Sequence, residues 1–202
     1  MRQLATLRAF GLRARAEDGM TLFELLISMV VLLIVMSALS GALISALHNQ
    51  ADLSNRYQAQ TQARQALTKL TREIHCATQI QDSGGGALTS TKVSGITVTL
   101  PAGCPTGGGA AVTVRWCTVA NGSRYDLYRY ANAACGSAGG VRWAASLVNS
   151  TIFSLPTTAT SGTHYPLVHV DLKVNTTKSG ATDSYDLVTD IAAFNSTRSV
   201  TG

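Results

Sequence analysis

The chain has 202 residues, of which 46% are hydrophobic, 6% aromatic and 13% charged, and it carries a formal net charge of +5 at neutral pH. That length has room for one globular domain beside a long helix. The charge is partly local: residues 1–19 hold Arg2, Arg8, Arg13 and Arg15 against Glu17 and Asp18, which leaves 12 basic and 9 acidic side chains elsewhere, a formal +3. So small an excess argues against nucleic acid as a partner.

The first predicted element begins just after that basic segment. From Leu25 to Leu47, 18 of 23 residues are apolar, the exceptions being Ser28, Ser37, Ser40, Gly41 and Ser45. No formally charged residue lies between Glu24 and Asp52. A run of at least about 18 apolar residues is long enough to cross a bilayer as a helix. The arginines before it read as a cytoplasmic flank, with the C-terminal part translocated. Glu24 stands at the edge of the run, where an ionisable group is costly and calls for a partner. Thr21-x-x-Glu24 also spells a capping box, which satisfies backbone donors at a helix start. A cleaved secretory signal accounts for the basic start, with Ala38-Leu39-Ser40 as its cut site, but the apolar run continues past Ser40. A plain membrane anchor accounts for the hydrophobicity but not for Gly19-Met20-Thr21-x-x-Glu24.

Gly19, Met20-Thr21-Leu22-Phe23-Glu24-Leu25-Leu26 and the apolar helix that follows resemble the prepilin-type N-terminal segment of type IV pilins and type II secretion pseudopilins. The resemblance implies that a prepilin peptidase cuts after Gly19 and that Met20 becomes a methylated first residue. It also implies that Glu24 is the acidic assembly residue, pairing with the terminal amine of a neighbouring subunit. The implied partners are other pilin or pseudopilin subunits, the peptidase and the membrane.

Met20 to about Ile80 reads as one long helix, since the first proline is Pro101 and Gly41 is the only glycine between Met20 and Asp82. Gly41 is a soft point or a place of close helix packing. Beyond His48, the residues Leu53, Tyr57, Leu67, Leu70, Ile74 and Ala77 recur at helical steps, and this predicts an amphipathic half with Arg56, Lys69, Arg72 and Glu73 off the packed face.

After Ser83-Gly84-Gly85-Gly86 the pattern turns to strands. These are expected at 92–100, 111–119, 125–130, 147–155, 167–174 and 185–194. In 167–174 Val168, Val170, Leu172 and Val174 face one way, with His169, Asp171 and Lys173 on the other. The expected fold class is α+β: a long N-terminal helix, half membrane-spanning and half amphipathic, packed on an antiparallel sheet. The expected division is 1–19 leader, 20–47 transmembrane or filament-core helix, 48–82 amphipathic half and 83–202 globular β-rich head. The helix end Leu67–Ile74 followed by a β head looks like minor pilins of the PilW type and J-type minor pseudopilins.

Cys76, Cys104, Cys117 and Cys135 all fall on the outer side of the span, and an even number there reads as two disulfides with three possible pairings. No cysteine pair or histidine has zinc-site spacing, so no metal or other cofactor is expected. Asp183-x-x-Asp186 with Asp190 lacks the spacing and the glycine of a calcium loop. There is no G-x-S-x-G and no phosphate loop, so the reading is a structural subunit rather than an enzyme. Two other classes stay open. A filament-tip module for adhesion or DNA would use Arg124, Tyr125, Tyr128, Arg129 and Tyr130, and a membrane-anchored enzyme would need a deep polar cleft in the head.

Overall fold

A computed structural model of the chain describes residues 21–156, 166–175 and 184–195. The leader 1–19, Met20 and Asp183 lie outside the described residues. Helix α1 runs Leu22–Cys76 over 55 residues and is unbroken at Gly41. Eight strands follow: β1 Gln79–Asp82, β2 Gly95–Leu100, β3 Val112–Asn121, β4 Arg124–Ala131, β5 Val141–Leu147, β6 Phe153–Ser154, β7 Leu167–Val174 and β8 Tyr185–Ala192. They form one antiparallel sheet in the order β1-β2-β3-β4-β5-β7-β6, with β8 added on β7. This is an α+β, pilin-like arrangement of a long helix and an antiparallel sheet. The chain divides into two compact units between His48 and Asn49.

In the second unit the helix packs through small residues. Ala59, Ala63, Ala66, Leu70 and Ile74 are buried against Ile96, Val98, Val114, Trp116, Leu127 and Phe153, all in one core cluster. On the helix side the contact is made by three alanines together with Leu70 and Ile74. Of the expected face, Leu70, Ile74 and Ala77 are buried and Leu67 packs against the core. The expectation fails at its start, where Leu53 is 65% exposed and Tyr57 71% exposed, and at Glu73, expected off the packed face and fully buried. Helical spacing alone does not say how far along the helix, or how wide around it, the buried stripe runs.

The helix also ends earlier than expected. Ala77 N–H donates to the Ile74 carbonyl at 3.2 Å, Asn195 Nδ2 donates to the Cys76 carbonyl at 3.2 Å, and Thr78 N–H already pairs with the Thr99 carbonyl at 2.9 Å. From Gln79 to Asp82 the chain is edge strand β1, in register with Thr99 to Ile96. Thr78 and Ile80 are β-branched and give the helix little reason to continue once β2 offers backbone partners.

The strands expected around 92–100, 111–119, 125–130, 167–174 and 185–194 are present, with shifted ends. The expected strand 147–155 is only the two-residue β6, and β5 was not anticipated. β3 and β4 form a hairpin in which Asn121 pairs with Arg124. Gly122, at φ +62°, supplies the left-handed residue of its two-residue loop. The β4–β5 connection lies so close to β4 that a Cβ on Gly140 would sit 2.3 Å from the Tyr130 ring.

The cysteines pair as Cys76–Cys104 and Cys117–Cys135. The first ties the helix end to the β2–β3 connection, and the second ties β3 to the β4–β5 connection. Their sequence separations are 28 and 18 residues, and closing loops of that size stabilises by about 3 kcal/mol each in the chain-entropy model. Peptide mapping without reduction is expected to recover these two cross-linked pairs; free thiols or crossed pairs contradict the connectivity.

Candidate assembly and anchoring sites

The N-terminal site is built on the start of α1. Thr21 is the N-cap: its Oγ1 accepts the Glu24 N–H at 3.4 Å, and Glu24 Oε2 accepts the Thr21 N–H at 3.2 Å and the Thr21 hydroxyl at 3.3 Å. This is the reciprocal capping box. A carboxylate in the first turn is also favoured by the helix dipole. Gly19 and Met20, the expected cleavage pair, lie outside the described residues, so of the three processing and assembly positions only Glu24 is placed.

Every residue from Thr21 to Gln50 is exposed in the isolated chain. The α1 segment is long and apolar enough to cross a membrane, and none of its apolar window is buried within the chain. Three of its serines are internally satisfied: the hydroxyls of Ser28, Ser37 and Ser40 donate to the carbonyls of Leu25, Ile34 and Met36, each at 2.8 Å. That removes most of the penalty of placing hydroxyls in an apolar surrounding. A Cβ built on Gly41 meets nothing within 4 Å, so nothing within this chain requires a glycine there.

The second site is Glu73, which the sequence pattern did not single out. Its side chain is fully buried on the sheet side of α1. Oε2 accepts Trp116 Nε1–H at 2.7 Å, Oε1 accepts Arg129 Nε–H at 2.8 Å, and Lys69 Nζ lies 3.6 Å from Oε1. Lys69 reaches on to the Thr106 carbonyl at 3.5 Å. One carboxylate thus joins α1 to β3 and β4 with two charge-assisted hydrogen bonds, which are the strong kind. The available signal was the i, i+4 pair Lys69–Glu73, but its burial depended on the Trp116 and Arg129 side chains of the sheet that meet it.

The aromatic and basic cluster of β4 does not form one surface. Arg129 turns inward to Glu73 and Tyr125 packs against the core. Tyr128 and Tyr130 lie on the other face, their rings 6.1 Å apart. The acidic residues of β8 are separate too: Asp186 Oδ2 is 3.6 Å from Lys173 Nζ, and Asp190 Oδ1 is 2.6 Å from His169 Nδ1. Among the described residues no three His, Cys, Asp or Glu side chains gather as a metal site. His75 stacks near Phe194, with ring centroids 4.8 Å apart.

These features define a class: a subunit with a membrane-capable helix that continues into the core of an α+β domain. The prokaryotic N-terminal methylation motif matches residues 14–40, which include Gly19, Met20 and Glu24. That match supports the type IV pilin and pseudopilin family. No curated protein and no solved structure matches the chain. Motif and fold together suggest a structural subunit that a prepilin peptidase processes, that is anchored in a membrane and that assembles with other pilin subunits.

Glu73→Gln is expected to leave Arg129 buried without its counter-charge and to destabilise the domain by about 3–5 kcal/mol. Arg129→Met alone should destabilise too, while Glu73→Gln with Arg129→Met recovers part of the loss. Urea unfolding of the four proteins checks this, and strict additivity contradicts it.

Proposed function

We propose that the protein is a minor pilin or minor pseudopilin, clipped between Gly19 and Met20, methylated at Met20 and assembled into or at the tip of a type IV pilus or secretion pseudopilus. The observation that carries the reading is the methylation motif lying directly on an exposed apolar helix that begins at Thr21. Residues 1–19 are removed. Residues 20–47 span the cytoplasmic membrane before assembly and enter the filament core after it, with the C-terminal domain outside. The subtype is that of PilW-like minor pilins or J-type pseudopilins, on the likeness of the helix end and the β domain.

The mechanism follows from what each environment does to two charges. Removing the leader leaves a cationic amine at Met20, four residues before Glu24 in the chain. In the bilayer both groups stay near the headgroup level. In a filament core with little water each costs several kcal/mol unless paired, so a subunit enters where its Glu24 meets a neighbour's amine. The apolar helix faces supply the adhesion. The charge pair sets the axial register. An interface of this head-to-tail kind need not close, so subunits add without limit.

Mass spectrometry of the N-terminal peptide is expected to show a methylated Met20. An intact leader in cells that contain a prepilin peptidase, or a mature terminus near Gly41, overturns the reading.

Glu24→Gln separates assembly from capping. Gln can fill the same capping position beside Thr21, so helix formation, insertion and cleavage should persist. The neighbour's amine would lose its counter-charge, at a cost of about 3–5 kcal/mol, and the cleaved protein should be nearly absent from sheared filaments. Incorporation at the wild-type level would leave capping as the whole role of Glu24.

A further inference from the structure

Two surface features of the globular unit take no part in the function above. The first is a groove of about 710 Å³ between α1 and β5, with Tyr57, Gln60, Arg64, Gln65 and Arg72 on the helix side and Trp143 on the strand side. Its lining contains three cations, Arg64, Lys69 and Arg72, and no carboxylate. Arg64 and Arg72 are exposed. Arg64 is held at the groove by donating from Nε to the Tyr185 hydroxyl at 3.0 Å. Such a surface calls for an occupant that carries carboxylates.

The second feature is β8, which pairs only with β7 among the described residues. The Ala193 N–H to Pro166 carbonyl bond fixes the phase of that pairing. In an antiparallel ladder hydrogen-bonded pairs alternate, so the N–H and C=O groups of Asp186, Val188 and Asp190 point to the open edge. All three residues are exposed, and the Asp side chains are 44% and 48% accessible. Their pairs with Lys173 and His169 are surface pairs, which are weak and exchangeable.

The two features match in length and charge. Asp186 and Asp190 share one face of a strand about 13 Å apart, at roughly 3.3 Å per residue. Arg64 and Arg72 share one face of a helix about 12 Å apart, at roughly 1.5 Å per residue. The groove wall from Tyr57 to Arg72 is about 23 Å long on the same measure, close to the length of the strand. Edge-to-edge pairing of two β8 strands about Val188 would instead set Asp186 of one opposite Asp190 of the other, and like charges in that position repel.

We propose that β8 of one copy docks in the α1–β5 groove of a second copy, with Asp186 and Asp190 set against Arg64 and Arg72. This rests on the assembly reading and names a contact between globular units that the apolar helices do not supply. Exposed ion pairs of this kind chiefly select register and partner and weaken with salt.

The test uses the full mature chain in detergent micelles, with self-association followed by sedimentation. The apolar helix contributes equally in every variant, so differences report on the globular unit. Arg64→Glu with Arg72→Glu, and separately Asp186→Lys with Asp190→Lys, should each weaken association about tenfold or more. An equimolar mixture of the two variants should restore it, because the reversed groove now fits the reversed strand. A photo-crosslinking residue at Gln65 should attach to the peptide carrying Asp186–Asp190 of a second copy. Unchanged association in either reversal, no rescue on mixing, or a crosslink solely to another protein or to added duplex DNA overturns the docking. Processing is scored in parallel: normal clipping with unchanged association removes the docking alone, whereas an unclipped wild-type chain removes the assembly reading first.

Discussion

The packing of α1 on the sheet is the contact on which the folded unit depends. Ala59, Ala63, Ala66, Leu70 and Ile74 of the helix share one buried core with Ile96, Val98 and Trp116 of the sheet. The core is small, and little of it comes from the helix itself. In such a core the exact placement of the helix decides which other groups are buried, and Glu73 is the clearest consequence. Once the alanine stripe faces inward, a carboxylate at position 73 goes with it. Burying that charge is tolerable only because Trp116 and Arg129 are aimed at its two oxygens.

Glu73 also bears on specificity. An apolar side chain in its place would pack without directional demands, whereas the carboxylate accepts hydrogen bonds from two different strands at defined points. That favours one rotation and one height of the helix over neighbours a turn away. The Cys76–Cys104 bond holds the same end of the helix to the β2–β3 connection. The helix end is thus fixed by a covalent link, a buried ion cluster and the edge pairing of β1.

The apolar segment obeys a different constraint. Among the described residues nothing covers residues 21–50, and an apolar surface that extensive calls for a bilayer or other apolar helices. Ser28, Ser37 and Ser40 return their hydroxyls to the helix carbonyls, and the one acidic residue is held in the capping box with Thr21. The segment therefore presents an almost purely apolar exterior with a single charge at its start. The same surface serves in lipid and among neighbouring helices, because both are as apolar as the segment itself.

The linear sequence by itself determined what depends on composition and short-range spacing. The apolar run, the capping box at Thr21–Glu24, the methylation motif and the alternation of β7 are all properties of residues within a few positions of each other, so no fold is needed to read them. The α+β class followed from the order of those elements. Tertiary structure alone decided what depends on residues far apart in the chain. It kept Leu70, Ile74 and Ala77 of the expected face inside, extended the buried stripe through Ala59, Ala63 and Ala66, and left Leu53 and Tyr57 exposed, because only the partner surface sets how far that stripe runs. It ended the helix at Cys76, because β2 supplied hydrogen-bond partners to residues 78–82. Of three possible cysteine pairings it chose one, because the folded chain carries the β4–β5 connection back to Cys117 of β3 and the end of α1 to the β2–β3 connection. It buried Glu73 for the same reason: helical spacing specifies which residues share a face, but only the partner surface specifies which face is inside.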